Sequence, residues 1–444
     1  MQQVRGELSA SRTDAAYETY KKKVKAETER VDELLNLGLL AYEAGDYAAC
    51  HRALERADQL AEERLTKSLS REAAGVAVSD RVRAYQGTVF DKSMIHYYRA
   101  LAFLAENKIN EAVVEGRRMA SYLEVNARES KHTYKDDAFL QWMNGALYDR
   151  AGQVNDAWIS YKRAREIYRD YYGIPEPDYL CPATLAAARA VGHSESEQEL
   201  DSLCSTAELH PDYGRVVVLC EAGIATPIRE TNVVLPILET TRTDFDNDDE
   251  RDRYYYDLYE GHRHNPYYEE SKLKYLLRVA LPYYEDLGGT QVQRVTVKGG
   301  ADVSQPAELS EDVGAILRQD LKDRYPSIVA RAITRAIIKY TASEVARELG
   351  KEKDDDGKRK AGIWSDVLGA VVNAAGVASE AADTRSWETL PEKIFVADFR
   401  LPPGTHDLRV LFEDSYGQTA LRHDFGTVDV KPGETVFLRA RCMQ

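Results

Sequence analysis

Asp244, Asp246 and Asp248 set carboxylates at alternate positions, the pattern with which a loop can wrap a calcium ion. Asp249 stands where glycine must make the turn and Tyr255 where a bidentate glutamate belongs, so Asp244–Asp252 reads as a solvated acidic loop. His262 and His264 offer two alternating imidazoles that could take a metal weakly, but their polar, tyrosine-rich setting reads as a surface loop. Gly350 to Gly357-Lys358-Arg359 faintly suggests a phosphate loop. No Ser or Thr follows the lysine and no strand precedes it, so it is a linker. Neither a Gly-x-Ser-x-Gly elbow nor a His-Glu-x-x-His zinc motif is present. No catalytic residue, cofactor or metal is expected, and the chain is not expected to be an enzyme.

Three further patterns favour structure over ligand. Arg331, Arg335 and Lys339 fall at i, i+4 and i+8, one basic stripe along a helix. The stripe could grip a carboxylate-rich partner, and internal pairing is preferred. Asp383 and Arg385 beside Trp387 suit an ion pair and a ring that anchors a helix-to-strand junction. The small residues of Ala361–Ala382 allow close helix packing, while Asp366, Asn373 and Glu380 would be costly in hydrocarbon.

The chain has 444 residues, 43% hydrophobic and 30% charged, enough for two or three domains. Its net charge of −15 repels phosphates and anionic lipid, so nucleic acid is not an expected partner. No apolar run is long enough to span a bilayer, and the first residues lack the apolar stretch of an export signal. Either a cytoplasmic protein or a mature exported one fits. Cys50, Cys181, Cys204, Cys220 and Cys442 are too scattered for a zinc site or a disulfide framework, and one bridge, for example Cys204 to Cys220, is left open.

The positioning elements begin with internal repeats. Residues 31–62 carry Leu37-Gly38, Ala41, Gly45-Asp46-Tyr47, Cys50, Leu54 and Ala57, the spacing of a tetratricopeptide (TPR) helix–turn–helix. Residues 93–124 repeat it through Ala100, Asn107, Ala112 and Gly116, and residues 138–169 through Trp142, Gly145, Gly152, Ala157, Tyr161 and Ala164. The copies are not in tandem, so the array should be an irregular α-solenoid, capped by a first helix at Thr13–Glu29.

After Pro175, Pro177 and Pro182, apolar runs at Arg215–Cys220, Leu276–Leu281 and Gln291–Lys298 read as strands. Residues 308–349 read as helix, restarted by Pro326, and 361–382 as a second helix. Alternation at Phe395–Leu401 and Leu408–Phe412 ends the chain in a β-meander. The expected fold is α+β: a TPR-like domain at 1–175, a connector at 176–213, a β-sandwich from 214–300 and 390–444, and a helical hairpin inserted at 301–389. In such repeats the first helices line a concave groove that takes a peptide or helix. Here those positions are Leu35, Leu39, Tyr42, Met94, Tyr97, Leu101, Phe139 and Trp142. They are the candidate partner-binding groove, unless flanking helices of the chain fill it.

The run Tyr85-Gln86-Gly87 through His96-Tyr97-Tyr98-Arg99, with Glu115-Gly116-Arg117-Arg118, Val217–Gly223, Ala330–Ala336, Ala382–Pro391 and Leu401-Pro402-Pro403-Gly404, resembles a poorly characterised family of bacterial lipoproteins with TPR-like repeats. The resemblance runs from about residue 32 to the end. It implies an exported protein, anchored by lipid to the outer membrane and facing the periplasm, often encoded beside a lipoprotein activator of penicillin-binding proteins. The first residues here hold no lipidated cysteine. The expected function is a protein-binding or assembly scaffold of the cell envelope. The expected partners are other envelope proteins, with a membrane reached only through a lipid anchor absent from this sequence. The alternative is a structural subunit of an envelope ring or filament that self-associates through the β domain.

Overall fold

A computed structural model describes residues 1–25, 27–69, 85–129, 136–170, 174–204, 210, 212–240, 271–300, 303–349 and 381–444. Helices α1 (Gln2–Ser9) and α2 (Thr13–Lys23) replace the single capping helix expected at Thr13–Glu29. The three TPR-like units follow as α3 (Val31–Glu43) with α4 (Tyr47–Leu69), α5 (Val89–Ala105) with α6 (Ile109–Glu129), and α7 (Ala138–Arg150) with α8 (Val154–Asp170). Each pair turns through one left-handed residue, Gly45, Asn107 or Gly152, a conformation glycine and asparagine adopt most readily. Side chains fix the helix starts. Thr88 and Asp91 form a reciprocal capping box on α5, and the Asp137 carboxylate accepts from the Leu140 amide at the start of α7.

Small residues let the pairs close. A methyl built on Gly38 would run into Leu54, and one on Gly145 into the Tyr161 ring. The stretch expected to be a connector instead holds a fourth pair, α9 (Leu180–Val191) and α10 (Ser194–Leu203). Pro182 falls within the first turn of α9, where no intrahelical amide bond is lost. A disulfide joins Cys181 to Cys204 across this pair, while Cys220, the bridge candidate from sequence, is free and buried.

The strands are β1 (Gly214–Ala222), β2 (Ile228–Thr240), β3 (Ser271–Tyr284), β4 (Arg294–Gly299), β5 (Val303–Glu311), β6 (Lys393–Leu401), β7 (Gly404–Glu413), β8 (Thr419–Val430) and β9 (Thr435–Cys442). Among the described residues the expected sandwich is not formed. Seven strands make one sheet in the order β8-β7-β4-β5-β6-β1-β9, with β1–β9 the parallel pair. The sheet curls until β8 approaches β9, so it is nearly barrel-like. Alternation decides its faces. Val216, Val218, Cys220, Phe395, Ala397 and Phe399 point into the curl, with Val295, Val410 and Phe412 from the opposite wall.

The opposite face of β1 and β6, carrying Val217, Leu219, Ile394 and Val396, shares one core with the helices. This is why the molecule has no waist between its helical and sheet halves. The hairpin β2–β3 stands apart and packs Leu277, Val279 and Leu281 on helix α11 (Val313–Leu349) through Leu321, Ile328 and Ala332. That helix runs unbroken through Pro326, and β5 occupies the start of the segment expected to be wholly helical. No helix among the described residues is long and apolar enough to cross a membrane.

Candidate functional site at the helix–sheet interface

All eight groove positions are buried in the core that the helices share with β1 and β6: Leu35, Leu39, Tyr42, Met94, Tyr97, Leu101, Phe139 and Trp142. In this structure these positions are covered by the chain itself. The occupant is the chain's own sheet together with the 386–392 segment. The Tyr97 and Tyr98 hydroxyls donate to Glu221 of β1 at 3.3 and 3.2 Å. The Trp387 ring lies 5.8 Å from that of Tyr98. Asn36 of α3 donates to the Ser386 carbonyl at 3.2 Å and accepts from the Thr389 amide at 3.1 Å.

At the centre of this interface lies a buried charge cluster that sequence spacing did not single out. Arg439 of β9 donates to Glu43 at 2.6 Å and to Glu221 at 2.5 Å, and Arg441 donates to Glu43 at 2.7 Å. Arg441 also donates to the Thr389 carbonyl at 2.7 Å, and the Arg439 guanidinium lies 4.7 Å from the Tyr42 ring centre. Burial pushes the Glu43 carboxyl up, but Arg439 and Arg441 outweigh it and bring its pKa down to about 2. The signal was present as Arg439-x-Arg441, two cations two residues apart on one strand face, but their partners lie more than 200 positions away.

Two satellite clusters repeat the theme. Arg215 donates to Asp398 at 2.8 Å, to Asp149 at 2.8 Å and to the Tyr161 hydroxyl at 2.7 Å. His96 meets Glu115 at 2.7 Å, and Arg99 pairs with the same carboxylate at 3.1 Å. Every carboxylate in these clusters faces a fixed cation. Thiol chemistry fares no better: burial pushes the Cys50 thiol up to about 12 and raises those of Cys220 and Cys442. Among the described residues no group of three or more His, Cys, Asp or Glu stands where it could hold a metal.

The other sequence candidates separate cleanly. Asp383 and Arg385 do pair, at 2.8 Å, beside the buried Trp387. Arg335 is buried on α11, which is where a structural role places it. Asp244–Asp252, His262, His264, Gly350–Lys360 and residues 361–380 lie outside the described residues.

No protein-family model matches the chain, and no curated protein matches it. Solved structures resemble its helical half distantly. MamA aligns with 45% of this chain and 94% of its own at 16% identity and TM-score 0.28. A kinesin light chain of TPR-like repeats from Podosopora anserina aligns with 45% and 89% at 15% identity and TM-score 0.31. The apo form of RapI aligns with 45% and 52% at 11% identity and TM-score 0.31. Likenesses this distant carry no argument about function. The TPR-like character rests on the chain's own stacked helix pairs.

Proposed function

We propose that the protein is a non-enzymatic, protein-binding assembly scaffold of the bacterial cell envelope, exported and attached by a lipid anchor. The stack of TPR-like helix pairs carries the reading, because such arrays are built to present extended surfaces to other proteins. The ionised groups support it as well: they are spent on one another inside the molecule rather than held apart for acid–base or nucleophilic work. The Cys181–Cys204 bridge favours an oxidising compartment, since cytosolic thiols are kept reduced. The net charge of −15 argues against nucleic acid. With the concave face taken by the chain's own sheet, partners are assigned to the outer surfaces.

Cross-linking of the full chain in intact cells tests the scaffold reading. Reproducible cross-links from outer helix surfaces to envelope proteins are expected. Cross-links only between copies of this chain would replace the reading with a self-assembling subunit, and release of peptidoglycan fragments by pure protein would overturn the non-enzymatic part. Acid quenching and alkylation of the same cells test the compartment: Cys181 and Cys204 should be protected from alkylation until reduced, and free thiols there would sink the exported reading.

A further inference from the structure

The register of β5 on β6 runs Glu308↔Val396, Leu309↔Phe395 and, past a bulge, Glu311↔Ile394, and no pair precedes Glu308. Continued, it would set Pro306 opposite Asp398. Proline has no amide hydrogen to give to a ladder, so an interior strand with proline loses pairing locally. Here β5 holds to β4 over Val303–Ala307, and β6 from Ala397 to Leu401 pairs only with β1. The β5–β6 ladder is therefore interrupted, and β6 from Ala397 to Leu401 is a free edge on its β5 side inside an otherwise continuous sheet.

A cleft of about 800 Å³ occupies the split, with Gln305 and Pro306 on one wall and Asp398 and Phe399 on the other. The disulfide-tied pair α9–α10 roofs it, and Leu203 sits in that roof with 64% of its surface exposed. Through Tyr179 and Pro182 the cleft continues into a smaller pocket of about 210 Å³, walled by Ala183, Ala187 and Ala190 and closed by Arg400.

Arg400 decides the chemistry. Its side chain is half-buried, and among the described residues nothing hydrogen-bonds to its guanidinium or forms an ion pair with it, although its backbone lies opposite Arg215 in the β1–β6 ladder. Its neighbours Asp149 and Asp398 are already engaged by Arg215, whose own positive charge faces it. A partly desolvated guanidinium beside a second one leaves a planar fork of donors unfilled, and a carboxylate is the group that fits it. The rest of the cleft is acidic on balance: Asp178, Glu308 and Glu176 line it with Arg165, which is taken by Glu176, and Glu308 accepts from the Asp178 amide at 2.9 Å. A carboxylate entering the cleft is thus directed to the Arg400 end.

We propose that this split is a peptide-binding groove: it takes the carboxyl-terminal segment of a partner protein as an added strand on β6, with the terminal carboxylate on Arg400 and an apolar side chain against Leu203. Strand addition satisfies the free edge, and the alanine-walled pocket of about 210 Å³ beside Arg400 receives the chain end. The proposal deepens the scaffold reading and rests on it.

The test uses the full chain and two pools of hexapeptides of random sequence, one with free carboxyl termini and one amidated, with bound members identified by affinity selection and mass spectrometry. Members of the free pool are expected to be retained and their amidated forms lost. For the best free peptide, Arg400→Gln should weaken binding about tenfold or more, Arg400→Lys should restore part of it, and Leu203→Asp should also weaken it. The Arg400 guanidinium makes no internal bond, so the melting temperature of these Arg400 variants should match the parent. Retention of no peptide, equal retention of amidated forms, or undiminished binding by Arg400→Gln would each overturn the groove. Envelope proteins cross-linked to other surfaces would in that event leave the scaffold reading standing.

Discussion

A buried carboxylate is stable here only because of what faces it. Glu221 is fully buried and meets Arg439, Tyr97 and Tyr98, so it joins the sheet to α5. Removing the Glu221 charge leaves Arg439 and Arg441 buried against Glu43 alone. Glu221→Gln is therefore expected to cost about 3–5 kcal/mol in urea unfolding, and a loss under 1 kcal/mol would mean that water enters the cluster. Glu43 has its pKa depressed, so its share of stability is complete above about pH 4.5 and drains only as pH falls toward 2. Asp137 behaves oppositely. Burial raises its pKa to about 7, against the Leu140 amide and a hydrogen bond with Glu311, another buried carboxyl. The folded state then holds a proton that the unfolded chain releases near pH 4, so this carboxyl costs stability progressively from about pH 4 to 7. Asp137→Asn keeps the helix cap and cannot ionise. The variant should gain on the parent as pH rises from 5 to 8, by ~2–4 kcal/mol. A pH-independent difference between the two melting curves would refute this.

At the scale of elements, spacing that encodes packing was legible and spacing that depends on distant partners was not. The glycines and alanines of the three repeats were readable because each pair's crossing needs them within about twenty residues: Gly38 under Leu54, Gly145 under Tyr161. Gly145→Ala tests this, since the Tyr161 hydroxyl is held by Arg215 and the ring cannot swing aside. Overpacking there should cost about 1–3 kcal/mol, whereas Gly6→Ala, in a helix with open space around the new methyl, should be neutral or stabilising. Equal melting temperatures for the two variants would contradict the close-crossing account. Pair α9–α10 escaped notice because Pro177 and Pro182 looked like breakers, although the second belongs to a first turn. Strand β5 escaped because Pro306 and the polar residues around it show no alternation; its neighbours β4 and β6 impose its conformation. The sandwich expected from those strands gave way to a curled sheet for a similar reason. One face of β1 and β6 is needed by the helices, so a second sheet has no apolar face left to cover.

For the whole molecule, the helices and the sheet are each incomplete alone. A TPR-like array read from sequence looks self-sufficient, but this one buries Leu35, Leu39, Met94, Tyr97, Phe139 and Trp142 in one core with Val217, Leu219, Ile394 and Val396 of the sheet. The bonds across the interface join the two ends of the chain: Arg5 donates to the Ala225 and Glu388 carbonyls, Arg150 to Glu434, and Arg439 to Glu43. Uncovering even half of the apolar interface side chains would cost on the order of 10 kcal/mol. That is comparable with the entire stability of an ordinary domain, about 5–15 kcal/mol. Residues 1–212 expressed alone should therefore keep helical circular dichroism but melt without a sharp transition and bind a hydrophobic dye. Adding residues 213–444 should restore a cooperative melt and expel the dye, because β1, β6 and β9 all lie in the second fragment and can form their half of the interface together. A cooperative melt of residues 1–212 alone, near the temperature of the full chain, would show that the sheet merely rests on the concave face. The face could then open to a partner, and the eight positions buried there would return as a binding groove.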